Sequence, residues 1–278
     1  VLLSAAISGG SRMFSGPAGW FFRPLYRSID LIGAVSEEDS LRLAAFTGDS
    51  SRITVTGDVR FDQVVRRIDS PTAEIPRALR DDPRSIIIAG STWPRDEEIV
   101  IPGFRKLKES FPDSLLVIAP HEPAPERISQ IMASLKREGM SGEALSLMEE
   151  TGPVKADIVI ADGVGYLAEL YTAGDIAYIG GSWTSGIHNV LEPAVAGLPV
   201  FFGPKFGNAW EAGVLMDIGA AFTVTGPADF AGKTLSLLSD RPALRKAGRT
   251  ASDYIRNNTG ASTRSLELIE EALWPVKD

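Results

Sequence analysis

The stretch best equipped for chemistry is Gly180-Gly181-Ser182-Trp183-Thr184-Ser185-Gly186-Ile187-His188-Asn189-Val190-Leu191-Glu192-Pro193. An apolar run, Ile176-Ala177-Tyr178-Ile179, leads into two glycines, a polar loop and a helical pattern expected over 189–196. Helix spacing sets His188 and Glu192 four apart, and Asn189 and Glu192 three apart, on neighbouring surface positions. Amides at a helix start face an anion, and the local dipole favours it. The two oxygens of a carboxylate one turn on, Glu192, match a vicinal diol and can accept both hydroxyls of a ribose. The set points to the phosphate and ribose of a nucleotide, whereas Gly-Gly before a helix would by itself fit any structural turn.

Three further loops carry candidate groups. Gly90-Ser91-Thr92-Trp93 follows the apolar run Ile86-Ile87-Ile88-Ala89. Glycine permits close backbone approach, and the hydroxyls and amides there can bind phosphate or cap a helix beginning near Pro94. Pro120-His121-Glu122-Pro123 follows Leu115-Leu116-Val117-Ile118-Ala119, and His121 can hydrogen-bond a base or a carboxylate or stay solvated. Lys205, in the loop after Val200-Phe201-Phe202, offers a cation near phosphate or a solvated lysine. The candidate substrate-binding set is Gly90, Ser91, Thr92, His121, Gly181, Ser182, His188, Asn189, Glu192 and Lys205.

These loops need a scaffold. From Ser85 on, short apolar runs, including Ile158-Val159-Ile160, alternate with helical patterns expected over 97–111, 164–171 and 189–196. Runs apolar on successive residues are strands covered on both faces, so the alternation predicts an α/β fold with a parallel, doubly wound sheet. Pro102 is expected to kink the first turns of the helix over 97–111. Before Ser85, helices are expected over 25–31 and 37–45, and a strand at Ile53-Thr54-Val55. A polar, Pro-containing stretch over 65–83 reads as a linker. Leu266, Ile269 and Leu273 give 261–273 one apolar helical face.

Composition narrows the chemistry. The 278 residues include no cysteine and two histidines, which excludes disulfides and sulfur-built zinc sites and disfavours a histidine-rich metal site. A net charge of −8 with both signs scattered argues against nucleic acid as a partner. No apolar stretch approaches the ~20 residues that span a bilayer, and the given chain is expected to be soluble. Val1-Leu2-Leu3-Ser4-Ala5-Ala6-Ile7 reads as a strand already inside a core, the middle of a longer protein.

In order along the chain, Ser36-Glu37-Glu38-Asp39, Thr56-Gly57-Asp58-Val59-Arg60-Phe61-Asp62, Ala89-Gly90-Ser91-Thr92-Trp93-Pro94, Ala119-Pro120-His121-Glu122, Gly180-Gly181-Ser182, His188-Asn189-Val190-Leu191-Glu192-Pro193-Ala194 and Phe202-Gly203-Pro204 resemble the signatures of the 3-deoxy-D-manno-octulosonic acid (Kdo) transferase family. The resemblance implies a GT-B-like fold: a Rossmann-like C-terminal domain over 84–258 and a partial N-terminal, acceptor-side Rossmann-like domain over 1–64, with 259–278 packing back on the latter. It implies inverting, metal-independent transfer of Kdo from CMP-Kdo to a lipid A precursor at the cytoplasmic face of the bacterial inner membrane, with no cofactor. Gly90, Ser91, Ser182, His188, Asn189 and Glu192 would surround CMP, Glu192 at the ribose.

Two departures stand out. His121 replaces a cation in the family's Pro-Arg-His, for which Lys205 or Arg60 would compensate. The family's general base, a glutamate in a glycine-containing segment, is expected upstream of Val1, as is the membrane-associating part. The chain is therefore expected to bind nucleotide but to transfer poorly or not at all. The alternatives are a UDP-sugar-dependent GT-B transferase or epimerase, and a non-catalytic nucleotide-binding module.

Overall fold

The computed structural model describes residues 1–7, 14, 16–148 and 152–274; residues 275–278, the end of the last expected segment, lie outside these. In chain order the elements are β1 (Leu2–Ala5), α1 (Gly16–Arg27), β2 (Ile32–Ala34), α2 (Glu37–Thr47), β3 (Ile53–Val55), α3 (Val59–Asp69), α4 (Arg77–Arg80), β4 (Ser85–Thr92), α5 (Pro94–Ser110), β5 (Ser114–Pro120), α6 (Pro125–Arg137) and β6 (Gly142–Ala144). They continue with β7 (Ile158–Ile160), α7 (Leu167–Tyr171), β8 (Ile176–Ile179), α8 (Leu191–Val195), β9 (Val200–Phe202), α9 (Trp210–Asp217), β10 (Ala221–Thr223), α10 (Pro227–Ser239), α11 (Arg241–Asn257) and α12 (Ala261–Leu273). The chain forms two compact units, Val1–Val64 with Arg256–Asp278, and Val65–Ile255.

The smaller unit holds a parallel three-stranded sheet, β1-β2-β3. Ala5, Ile7, Ile32, Ala34 and Leu43 form its core, against which Phe14 and Tyr26 pack. The helix expected over 25–31 lies earlier, at α1, and 28–31 feed β2 instead. Pro17 suits the first turn of a helix, where its missing N–H leaves no bond unmade. Tyr26, near the end of α1, meets Phe14 and Phe46 edge-on at ring-centre distances of 5.4 and 5.6 Å. Residues 261–273 are the helix α12, joined to the segment after β3: Asp62 accepts from the Gly260 and Ser262 amides, and Arg264 donates to the Thr56 carbonyl.

In the larger unit seven strands, all paired in parallel, stand in the order β10-β9-β8-β4-β5-β7-β6. Their apolar runs are buried on both faces, as parallel strands between helix layers require. On one face Val100, Phe104 and Leu107 of α5 and Phe230 and Leu238 of α10 cover Ile87, Leu116 and Tyr178. The two helices approach at Gly103, where a Cβ would lie 2.7 Å from the Phe230 ring. The stretch 65–83 contributes the last turn of α3 and the short α4, and belongs to this unit.

The topology marks one place on the sheet. From β4 the chain passes to β5, then to the edge strand β6 and back inward to β7; it then crosses to β8 on the other side of β4 and builds outward through β9 and β10. The strand order reverses between β4 and β8, and in open α/β sheets the crevice beyond the carboxyl ends of such a pair is where ligands bind. The loops leaving those two ends begin at Trp93 and Gly180.

Candidate functional site

The carboxylate of Asp96, in the first turn of α5, ties these loops together. It is 1% exposed. One oxygen accepts from the Trp93 and Gly181 amides, both at 2.9 Å, and the other from the Tyr178 hydroxyl at 2.8 Å. Tyr178 in turn accepts from Trp183 Nε1 at 2.8 Å. Ser182 is fully buried and its hydroxyl accepts the Gly203 amide at 2.6 Å, carrying the brace on to the loop after β9. Gly181 turns at φ 96°, and a Cβ there would sit 2.4 Å from the Gly186 carbonyl, so only glycine fits. Asn208 clamps the far side, accepting from the Ile187 amide and donating to its carbonyl.

Against this frame three rings pack. Trp93 Nε1 donates to His188 Nε2 at 2.9 Å, and the His121 ring stacks on both, 4.3 Å from His188 and 4.8 Å from Trp93 between centres. His121 is exposed and His188 half-buried. Burial, reinforced by the neighbouring His121, lowers the pKa of His188, and Asp96 pulls the other way. The Trp93 bond requires Nε2 to be unprotonated, so the proton of neutral His188 lies on Nδ1. The sign of the linkage follows. The folded pKa lies below the unfolded value near ~6.5, so the stability this ring contributes is complete above that value and is lost as pH falls toward the folded pKa. Urea titrations at pH 7.5 and 5.5 are expected to give a smaller difference for His188→Gln than for the wild type.

Glu192 stands at the start of α8, with the Asn189 side chain near its carboxylate. Burial, then the nearby Glu169, raises its pKa, while the Arg67 guanidinium opposes the rise. Burial, and then the charge of Glu192, raises the pKa of the fully buried Tyr171. Gly90 is required by that tyrosine: a Cβ at Gly90 would fall 2.0 Å from the Tyr171 hydroxyl. The close approach that Gly90 permits is thus to Tyr171. Gly90→Ala is expected to cost about 1–3 kcal/mol by overpacking, read as a fall in Tm, and Tyr171→Phe in the same chain to recover part of it by removing the clashing oxygen.

The expected helix over 189–196 is in fact the five residues of α8, so the spacing that paired His188 with Glu192 on one helical face does not apply. Both residues precede or open the helix, and the Leu191 amide at its start is already bound by Asn189 Oδ1 at 2.9 Å. The proline at 193 and the turn at Gly197 leave room for no more. Likewise 164–171 is helical only from Leu167.

Other candidates divide by accessibility. Thr92 is buried and donates to Glu97, which also pairs with Arg127, so its hydroxyl serves the protein. Ser91 is partly exposed and holds a left-handed φ of 53°, uncommon for a residue with a side chain and typical of functional loops. Lys205 is exposed, with its amide on the Ser182 carbonyl and its ammonium 3.2 Å from the Thr184 carbonyl. Arg60 pairs with Asp58 at 2.7 Å. Sequence reading passed over Asp96, Tyr171, Asn208, Glu169 and Arg67. Asp96 carried the one available signal, an acidic residue three after a helix start.

Among the described residues no cluster of His, Cys, Asp or Glu could hold a metal ion, and no helix is long and apolar enough to cross a membrane.

Several known proteins are similar to this chain. A family described as 3-deoxy-D-manno-octulosonic-acid transferase (kdotransferase) matches residues 1–63. The 3-deoxy-D-manno-octulosonic acid transferase of Haemophilus influenzae is 27% identical over 281 residues, covering 98% of this chain and 64% of that protein. That of Rickettsia felis is 32% identical over 196 residues, 69% of this chain and 41% of that protein. That of Rickettsia prowazekii is 28% identical over 280 residues, 100% of this chain and 58% of that protein. The chain thus spans well short of these relatives' full length.

Among solved structures, the C-terminal CMP-Kdo binding domain of WaaA from Acinetobacter baumannii aligns with a TM-score of 0.56 at 18% identity, covering 70% of this chain and 97% of that one. A UDP co-structure of MnaA from S. aureus aligns with a TM-score of 0.64 at 14% identity, covering 98% and 68%.

Two parallel-sheet units, one doubly wound with its loops gathered at the switch point, define an α/β protein of GT-B-like, Rossmann-like fold. Within that class, the chain belongs to the 3-deoxy-D-manno-octulosonic acid transferase family.

Proposed function

We propose that the Val65–Ile255 unit binds CMP-Kdo, and that the protein transfers Kdo from it to a lipid A precursor at the cytoplasmic face of the inner membrane. The observation that carries this is the place of Glu192 at the start of α8, on the chain leaving β8 at the β4–β8 switch point, where a vicinal diol would find two acceptor oxygens. The printed description of the Acinetobacter baumannii domain, CMP-Kdo binding, supports the choice of donor. In this reading Ser91, partly exposed at the end of β4, and the exposed residues of the Gly180–Asn189 loop donate to the phosphate. Lys205 supplies a cation from the neighbouring loop.

In the reaction an acceptor hydroxyl oxygen bonds to the anomeric carbon as the carbon–oxygen bond to CMP breaks, with inversion. The phosphate leaves with its electron pair, stabilised by such donors without a metal ion. The acceptor proton passes to a general base. A thermal-shift panel of cytidine and uridine nucleotides tests the donor. CMP is expected to raise Tm, and UDP to raise it less. A UDP preference would favour a UDP-sugar enzyme, in keeping with the MnaA likeness in fold. No shift with any nucleotide would remove the proposal.

A further inference from the structure

Trp93 and His188 meet edge to edge, and the contact fixes more than their packing. Their rings lie 18° from coplanar with centres 6.4 Å apart, and Trp93 Nε1 donates to His188 Nε2 at 2.9 Å. An indole N–H can only donate, so Nε2 is the acceptor and the ring proton of neutral His188 sits on Nδ1. The edge of the ring that carries Nε2 also lies against the chain: a Cβ at Gly181 would fall 3.1 Å from Cδ2 and 3.3 Å from Nε2. His121 covers one face of the ring, with its centre 4.3 Å away. The Nδ1 edge points the other way. Nδ1 meets no acceptor among the described residues, and it is not sealed from solvent. A half-buried imidazole thus has one nitrogen held by the protein and offers the other outward as an N–H donor. The loops that carry the pair leave β4 and β8 at the switch point of the sheet, where a ligand is expected.

We propose that Trp93 is a positioning residue that fixes His188 as an Nδ1–H donor, and that this N–H donates to an oxygen of the bound nucleotide. The inference rests on nucleotide binding at this site and adds the direction of the bond and the group that sets it. Free histidine carries its proton chiefly on Nε2. Without the indole donor, the ring would turn the lone pair of Nδ1 toward the ligand, an acceptor set against acceptor oxygens. The tryptophan thereby decides whether the ring attracts or repels an oxygen there. The titratable groups around the ring are His121, from the loop after β5, and Asp96, from α5. His121 lies parallel to the ring, and the Asp96 oxygens already accept from the Trp93 and Gly181 amides and the Tyr178 hydroxyl, so neither takes the Nδ1 proton.

Nitrogen-15 NMR of the imidazoles in the ligand-free chain reads the tautomer, and with two histidines the assignment follows from His121→Asn. At alkaline pH His188 is expected in the Nδ1–H form in the wild type. In Trp93→Phe, which keeps an aromatic ring against His121 but has no donor, it is expected in the Nε2–H form. An Nε2–H wild type, or the same tautomer in both proteins, overturns the proposal. In CMP titrations Trp93→Phe and His188→Gln are each expected to weaken binding about tenfold, the scale of one hydrogen bond to a charged oxygen. His188→Asn sets an amide donor where Nδ1–H stood. It is expected to recover most of that loss, and adding Trp93→Phe to it is expected to cost little more. If Trp93→Phe weakens binding as much in the His188→Asn chain as in the wild type, Trp93 acts through packing and the proposal falls. Cytidine separates the acceptors: a His188→Gln loss confined to CMP assigns the donation to the phosphate, an equal loss with cytidine assigns it to the nucleoside, and either upholds it. Failure of the wild type to bind any nucleotide would remove the nucleotide reading and the donation with it, leaving the NMR result to decide whether Trp93 sets the tautomer.

Discussion

Glu192→Ala is expected to weaken CMP binding about 100-fold or more. Two hydroxyls of a ribose donating to an ionised carboxylate contribute about 1.5–3 kcal/mol each, and about 1.4 kcal/mol is a factor of ten in Kd. Glu192→Gln keeps one acceptor oxygen of the same shape and is expected to lose about tenfold on the same scale. Isothermal titration at pH 7.5 measures both.

A second readout separates function from folding. Burial raises the pKa of Glu192 above the ordinary carboxylate range, so at neutral pH the folded state bears the cost of a desolvated charge that the unfolded chain does not. A carboxyl whose folded pKa is raised stabilises the fold at pH below that pKa and opposes it above. Glu192→Gln is therefore expected to raise the Tm of the ligand-free protein while weakening binding. A variant that lost both Tm and affinity would indicate a structural carboxylate instead.

The contrast between Glu192 and its surroundings also explains what the sequence could and could not reveal. The central strands were legible because burial on both faces writes itself into consecutive apolar residues: Ile158–Ile160, Ile176–Ile179 and Val200–Phe202 are strands over those same residues. The edge strands Gly142–Ala144 and Ala221–Thr223 carry no such run and were not foreseen. Each has one neighbour in the sheet and needs fewer apolar side chains. The helix of residues 261–273 forms where expected, but not on the expected face: Leu266 and Leu273 are exposed, and Ala261, Ser265 and Leu268 are its buried side, whereas α1 begins before the expected 25–31 and contains Pro24.

At the site, glycines, histidines and Glu192 announce themselves by type and spacing within one loop. The groups that hold them do not. Asp96 meets Gly181 from 85 positions away, and Arg67 meets Glu169 from 102, distances across which local spacing says nothing. Even the short range misled where helix geometry was assumed: Asn189 lies before the helix, and its side-chain oxygen accepts from the Leu191 amide two residues on in a local turn.

That division points to Asp96, the group on which the geometry of the loops depends. Asp96→Ala leaves the Trp93 and Gly181 amides and the Tyr178 hydroxyl without their acceptor in a buried place. Each orphaned donor costs about 1–3 kcal/mol, so a total loss near 3–5 kcal/mol is expected once the loops relax. Chemical denaturation measures this. The second consequence is specific to the site. Freed from Asp96, the Gly180–Asn189 loop no longer fixes His188 under Trp93, and CMP binding is expected to fall even at temperatures where the variant remains folded.

Tyr178→Phe provides the control. It removes one of the three donors together with the Trp183 contact but keeps both amide bonds to Asp96. It is expected to cost less than half as much stability and to spare binding. In a double-mutant cycle the two substitutions are expected to be strongly non-additive, since the hydroxyl has value only while the carboxylate is there to receive it. Additive losses would mean that Asp96 and Tyr178 act separately and that the loops are held by their packing alone.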